Sequence, residues 1–147
     1  MAVIRGGDKL EAYLAGIAAR ASKPGTLKVG FLAGAAYPDG TPVALVAAVQ
    51  NFGAPSRGIP PRPFFSDMVA AKKEQWGPTL GAALQHADFD GPKALQVMGD
   101  QIAGDLRQSI KDTDSPPLKP ATIRRKGFDK PLVDSGHMLN SVDYEVT

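Results

Sequence analysis

The chain has 147 residues, 43% hydrophobic and 22% charged, which is the composition of one globular domain with a real core. Cysteine is absent, so disulfides, cysteine metal sites and thiol nucleophiles are excluded. A net charge of +2 is too near balance to argue for nucleic acid on its own, and the longest apolar runs, such as Val43 to Val49, are too short for a bilayer.

Residues 1–7 read as a short arm without the charged-then-apolar layout of a signal peptide, so a soluble product of the cytoplasm is expected. Asp8 is a fair N-cap. Leu10, Leu14, Ile17 and Ala18 recur at helical spacing, which predicts a helix over Lys9–Ala21 stopped by Lys23-Pro24-Gly25. Leu27–Leu32 reads as a strand, with Gly30 marking a bulge or a close backbone approach. Tyr37-Pro38-Asp39-Gly40 is a turn. Thr41 as N-cap and Pro42 at the first helical position then start a helix with a stripe of Leu45, Val46, Val49 and Phe52. Gly53 stands where a left-handed C-terminal residue belongs. The valines in that segment also permit a strand.

The segment Gly58-Ile59-Pro60-Pro61-Arg62-Pro63-Phe64-Phe65 is stiffened by prolines and cannot pair as a central strand. Its rigidity suits a docking surface, because binding orders little that was mobile. Arg62 offers a planar donor fork beside two aromatics, the composition of an interface hot spot. Phe52, Ile59, Pro60, Arg62, Pro63, Phe64 and Phe65 are therefore candidate contacts with a subunit or neighbour. The competing account has Phe64 and Phe65 anchoring the loop onto their own domain.

A helix starts near Pro63 and carries Phe64, Phe65, Met68, Val69, Lys72 and Trp76, with Gly77-Pro78 expected to kink or restart it. After Asp88-Phe89-Asp90-Gly91, the clearest stripe in the chain (Leu95, Met98, Ile102, Leu106 and Ile110) predicts the longest helix over Pro92–Lys111. Residues 112–117 form a surface loop. A basic turn over Lys119–Lys126 follows, then Pro131 to Gly136 and a short turn from His137 to Ser141. Alternating Val142, Tyr144 and Val146 make a closing strand with one buried face, expected to share a sheet with the first strand. The fold class is α+β, a small antiparallel sheet packed against several helices in a single domain spanning 1–147.

Catalytic, metal and cofactor sites are not expected. His86 and His137 lack zinc spacing, and the Asp88/Asp90 run lacks the later ligands of a calcium loop. Gly30 to Gly34 lacks the spacing of a phosphate cradle. His137 beside Ser135 and Asp134 is a weak basis for a hydrolase. Lys119, Arg124, Arg125, Lys126 and Lys130 form the one basic cluster. It reads as a contact for an acidic partner or a phosphate backbone, or as a solvated loop, with only Phe128 near it for stacking.

Three segments together resemble the tail-completion (minor tail, neck) proteins of tailed bacteriophages and prophages. The first runs from Gly30 through Gly40-Thr41-Pro42-Val43 to Gln50-Asn51-Phe52-Gly53; the second is Ile59-Pro60-Pro61-Arg62-Pro63-Phe64-Phe65. The third joins Pro116-Pro117-Leu118-Lys119, Thr122 to Gly127, and Pro131 to Gly136 with Leu139, Ser141 and Val142. The resemblance covers Leu27 to the C-terminus. It departs at Asn51, where the family usually has a glutamate, and at Ser135, where it usually has a threonine. It implies a non-enzymatic virion protein, commonly a hexameric ring, seated between the head connector and the tail terminator or tail tube. It implies no membrane and at most a passing contact with genomic DNA. Tail terminator and head-closure proteins of the same neck are the nearest alternatives, and a DNA-binding packaging accessory is an alternative of a different class.

Overall fold

In the computed structural model, which describes residues 6–127, 129–132 and 136–147, the two strands predicted at opposite ends of the chain pair with each other. β1 (Leu27–Phe31) and β2 (Val142–Val146) are antiparallel, with Leu27 opposite Val146, Val29 opposite Tyr144 and Phe31 opposite Val142. Backbone bonds between Thr26 and Thr147 extend the ladder by one pair. Alternation puts these apolar partners on one face and Lys28 with Glu145 on the other. Register is continuous across Gly30, so there is no bulge. Gly30 serves the backbone instead: it holds φ at 146°, which residues with a side chain rarely adopt, although a Cβ there would meet the Phe65 ring at an ordinary 3.5 Å.

One helix makes most of the packing against the sheet. α4 (Gly91–Asp112) starts where Asp90 caps it, its Oδ1 accepting the Lys93 N–H at 3.2 Å, and where Pro92 fits the first turn. Met98, Ile102, Leu106 and Ile110 are buried at three- and four-residue steps, while Leu95 is half-buried at the rim of a groove. α4 packs on both strands and along α3 (Phe64–His86). α3, at 23 residues against 22 for α4, is the longer helix, contrary to the sequence expectation. Gly77-Pro78 does not end it. Gly77 and Pro78 are exposed, and so is Glu74, the residue whose carbonyl Pro78 has no N–H to serve.

α2 (Val43–Phe52) begins one residue later than the caps suggested, with Pro42 rather than Thr41 at the N-cap. Its buried residues are Val43, Ala47 and Asn51. Of the predicted stripe, Leu45 (56% exposed) and Phe52 (74%) face outward, while Val46 and Val49 are half-buried. The helix is apolar nearly all round, so periodicity could not choose its inner face. Gly53 does have a positive φ of 77°, but with ψ 172° it turns the chain rather than curling it left-handed. A Cβ there would lie 2.8 Å from the Pro61 nitrogen.

α1 (Gly7–Ala21) begins before Asp8, which lies inside its first turn rather than capping it. No residue of α1 is buried, and Leu10, Tyr13 and Leu14 are each more than half exposed. Its C-terminal end is tied to the α3–α4 turn, where Arg20 donates to the Asp88 carbonyl at 3.0 Å and meets the carboxylate at 3.4 Å. Replacing Leu10 and Leu14 together by serine should therefore change unfolding free energy in urea by less than about 1 kcal/mol. A loss of several kcal/mol would show that the stripe is covered within the monomer. Two short helices, α5 (Pro120–Lys126) and α6 (His137–Asn140), lie between α4 and β2.

Candidate functional site

The turn after β1, the end of α2, the proline loop and α5 meet around one open cleft of about 540 Å³. The turn is fixed by Gly40 N–H to the Tyr37 carbonyl (2.8 Å) and Tyr37 N–H to the Thr41 carbonyl (2.8 Å). Asp39 accepts the Thr41 N–H at 2.9 Å, and that bond holds its carboxyl below the usual carboxylate range. The His137 ring donates Nε2–H to the Ala36 carbonyl at 2.8 Å and lies against Tyr37, ring centroids 4.6 Å apart. His137 is thereby a strut for this wall of the cleft. Asp134, Ser135 and Phe128 lie outside the described residues, as does Val133.

The proline loop is shaped by short-range bonds. Ala54 and Ile59 exchange both backbone bonds, at 2.9 and 3.1 Å, around a tight turn closed by Gly58 at φ 65°. Arg62 N–H then bonds the Gln50 carbonyl at 2.8 Å, returning the chain to α2. The Arg62 side chain is 5% exposed. Its Nε donates to the Pro116 carbonyl at 3.0 Å and its Nη1 reaches Gln50 Oε1 at 3.5 Å. Burial pushes its pKa down from the usual guanidinium value. Phe64 is buried in the core against Phe31, and Phe65 is half-buried over Gly30.

These positions correct the sequence reading of the loop. Phe64 is in the core and not available to a neighbour, and Arg62 is buried, anchoring the loop through Nε and Nη1 while it lines the cleft. Ile59, Pro60 and Pro63 are half-buried. Phe52 alone of the seven stands well exposed, beside an apolar groove of about 230 Å³ that Phe31, Ala44, Ala48 and Phe65 help to line.

Asn51 is the functional residue that composition hid. The local N-cap of α3 is Pro63, whose side chain has no hydrogen-bond acceptor. Asn51 Oδ1, from α2, accepts the N–H groups of Phe65 (3.0 Å) and Ser66 (3.1 Å), and its Nδ2 donates to Ser66 Oγ (2.8 Å). It caps α3 from a distance and locks the two helices together. The amide donor to Ser66 is a bond that a carboxylate at this position cannot make. Asn51→Ala leaves two helix N–H groups without acceptors and should cost about 1–2 kcal/mol. Urea unfolding checks it, with Asn51→Asp expected to recover part of the loss.

Arg124, Arg125 and Lys126 sit on a helix, not a loop, with Lys119 at its N-cap and Lys130 in the loop beyond it. Pro120 at the first turn and Gly127 at a left-handed C-cap (φ 82°) bound α5, a pairing that was visible in the sequence. Arg124 and Arg125 are exposed, as are Lys119 and Lys130. Lys130 Nζ donates to the Lys111 carbonyl at 3.2 Å, and Lys126 Nζ to the carbonyls of Lys130 (3.1 Å) and Pro131 (3.4 Å). Arg125 and Lys126 line the cleft together with Arg62, Val46, Leu132 and Met138.

Among the described residues no group of three or more His, Asp or Glu side chains is placed to hold a metal, and no helix is long and apolar enough to cross a membrane. No protein-family model, curated protein or solved structure matches the chain.

Proposed function

We propose that this chain is a non-enzymatic virion protein of a tailed bacteriophage or prophage. It is made in the host cytoplasm and forms a ring, of hexameric type, that completes the neck between the head connector and the tail terminator or tail tube. The observation that carries the reading is the convergence of the three resembling segments. Tyr37–Thr41 and Gln50, then Arg62, then Leu118 to Leu132 build the walls of one cleft, although up to about 95 residues separate them in sequence. Segments that define a family and meet at one surface are expected to serve one contact.

Exposed apolar side chains supply the association surface. Leu45 and Phe52 on α2, and Leu10, Tyr13 and Leu14 on α1, lie outside the monomer's core. A packaging accessory that grips DNA fits less well, since Lys126 and Lys130 spend their ammonium groups on carbonyls of their own chain. The test is removal of the gene from its phage: heads and tails should accumulate unjoined, and supplying the protein should join them. Phe52→Ser should fold with a near-normal melting temperature yet fail to join them. Complete infectious particles without the protein would overturn the proposal. Tails of uncontrolled length would assign the terminator role instead.

A further inference from the structure

Among the described residues Arg62 is a buried cation with no counter-ion. The ion pairs among the described residues are Arg20–Asp88, Lys28–Glu145, Lys72–Asp105 and Lys93–Asp90, and none involves it. Arginine stays protonated even when burial lowers its pKa, so the charge persists inside the fold. Buried charges are ordinarily paired, because the protein must replace the water they lose. Among the described residues the chain supplies a carbonyl to Nε and a long amide contact to Nη1, and no acceptor to Nη2. The guanidinium lines the cleft. Among the described residues the one carboxylate of the lining, Asp39, is turned to the Thr41 N–H, and Arg125 shares the lining with Arg62.

We propose that this cleft is a binding site for a glutamate or aspartate side chain on an extended segment of a neighbouring protein chain. The incoming carboxylate takes the Nη1 and Nη2 hydrogens that the chain leaves unused, in the paired geometry that suits a guanidinium. Arg125 adds attraction at the rim, and Val46, Leu132 and Met138 accept the aliphatic residues flanking the acid. A nucleic-acid phosphate fits poorly. It is carried on a bulky backbone and does not reach a guanidinium that is 5% exposed, whereas a glutamate carries its charge on a slender stem. This gives the neck reading its chemical contact, and the two can fail separately: peptide binding needs no phage, and head–tail joining needs no peptide.

The test uses the full chain and two capped tripeptides, acetyl-Val-Glu-Val-amide and its glutamine counterpart. Binding is followed by the NMR resonance of the Arg62 Nε–H and by thermal midpoint. At about 10 mM the glutamate peptide should shift that resonance, raise the midpoint and bind at least about tenfold tighter than the glutamine peptide. Added salt should weaken it. Arg62→Gln should abolish the preference. Should that variant not fold, Arg125→Gln, at an exposed position, should still weaken the glutamate peptide by about threefold. Equal binding of the two peptides, or none by either, overturns the proposal. So does a shift of the Arg62 resonance by inorganic phosphate or a single-stranded oligonucleotide with none by the glutamate peptide, which would make this a phosphate site.

Discussion

Phe64→Ala should lower the unfolding free energy by about 3–5 kcal/mol, a large share of the roughly 5–15 kcal/mol that holds a domain of this size. The side chain is 1% exposed and meets Phe31 edge-on, centroids 6.4 Å apart and planes at 77°. Its backbone is committed as well. The Phe64 N–H bonds the Arg62 carbonyl at 2.7 Å, and its own carbonyl accepts Ser109 Oγ at 2.7 Å, joining the start of α3 to α4. Truncation leaves a cavity where β1, α2 and α3 meet, and rigid helices do not collapse to fill it. Urea unfolding measures the loss directly. A variant with unchanged stability that failed only in assembly would return Phe64 to the role of an interface residue.

The contrast between Phe64 and Phe52 shows what the sequence could and could not carry. A stripe with polar residues opposite it, as from Met98 to Ile110, identifies its own buried face, and the closing strand did the same by alternation. In α2 no such contrast exists, and tertiary packing decided. Val43 and Ala47 turned inward, Asn51 went in for its hydrogen bonds, and the larger Leu45 and Phe52 were left outside. Arg62 misled for a related reason: a cation flanked by prolines looks like a surface group. Its burial depends on a carbonyl at Pro116, 54 residues away, which no local pattern announces. The cleft was legible only as three separate segments, because their meeting is a property of the fold. Gly77-Pro78 was read by its local rule, which holds for a helix interior surrounded by protein and relaxes on a wet face.

Gly99→Ala is the second large effect, and here two contributions of opposite sign compete. Alanine favours a helix interior over glycine by about 1 kcal/mol, so propensity alone predicts a gain. A Cβ at Gly99, however, would lie 2.3, 2.6 and 2.7 Å from three carbons of the Tyr144 ring. That ring cannot swing clear cheaply. Tyr144 sits mid-strand in β2, paired with Val29, and Arg107 Nη2 holds the same strand at the Val142 carbonyl, 2.6 Å away. Either the sheet lifts from α4 or the ring leaves its rotamer, and overpacking of this kind costs about 3–4 kcal/mol at its upper end. The clash wins, leaving a net loss of about 2–3 kcal/mol. Gly104 on the same helix is the internal control. It is exposed with nothing within 4 Å of its would-be Cβ, so Gly104→Ala should stabilise by about 0.5–1 kcal/mol. Adding Tyr144→Val to Gly99→Ala should give a coupling energy above about 1 kcal/mol in a double-mutant cycle. If the two alanine variants behave alike, the Tyr144 ring does not rest on Gly99, and the packing of the sheet onto α4 must be redrawn.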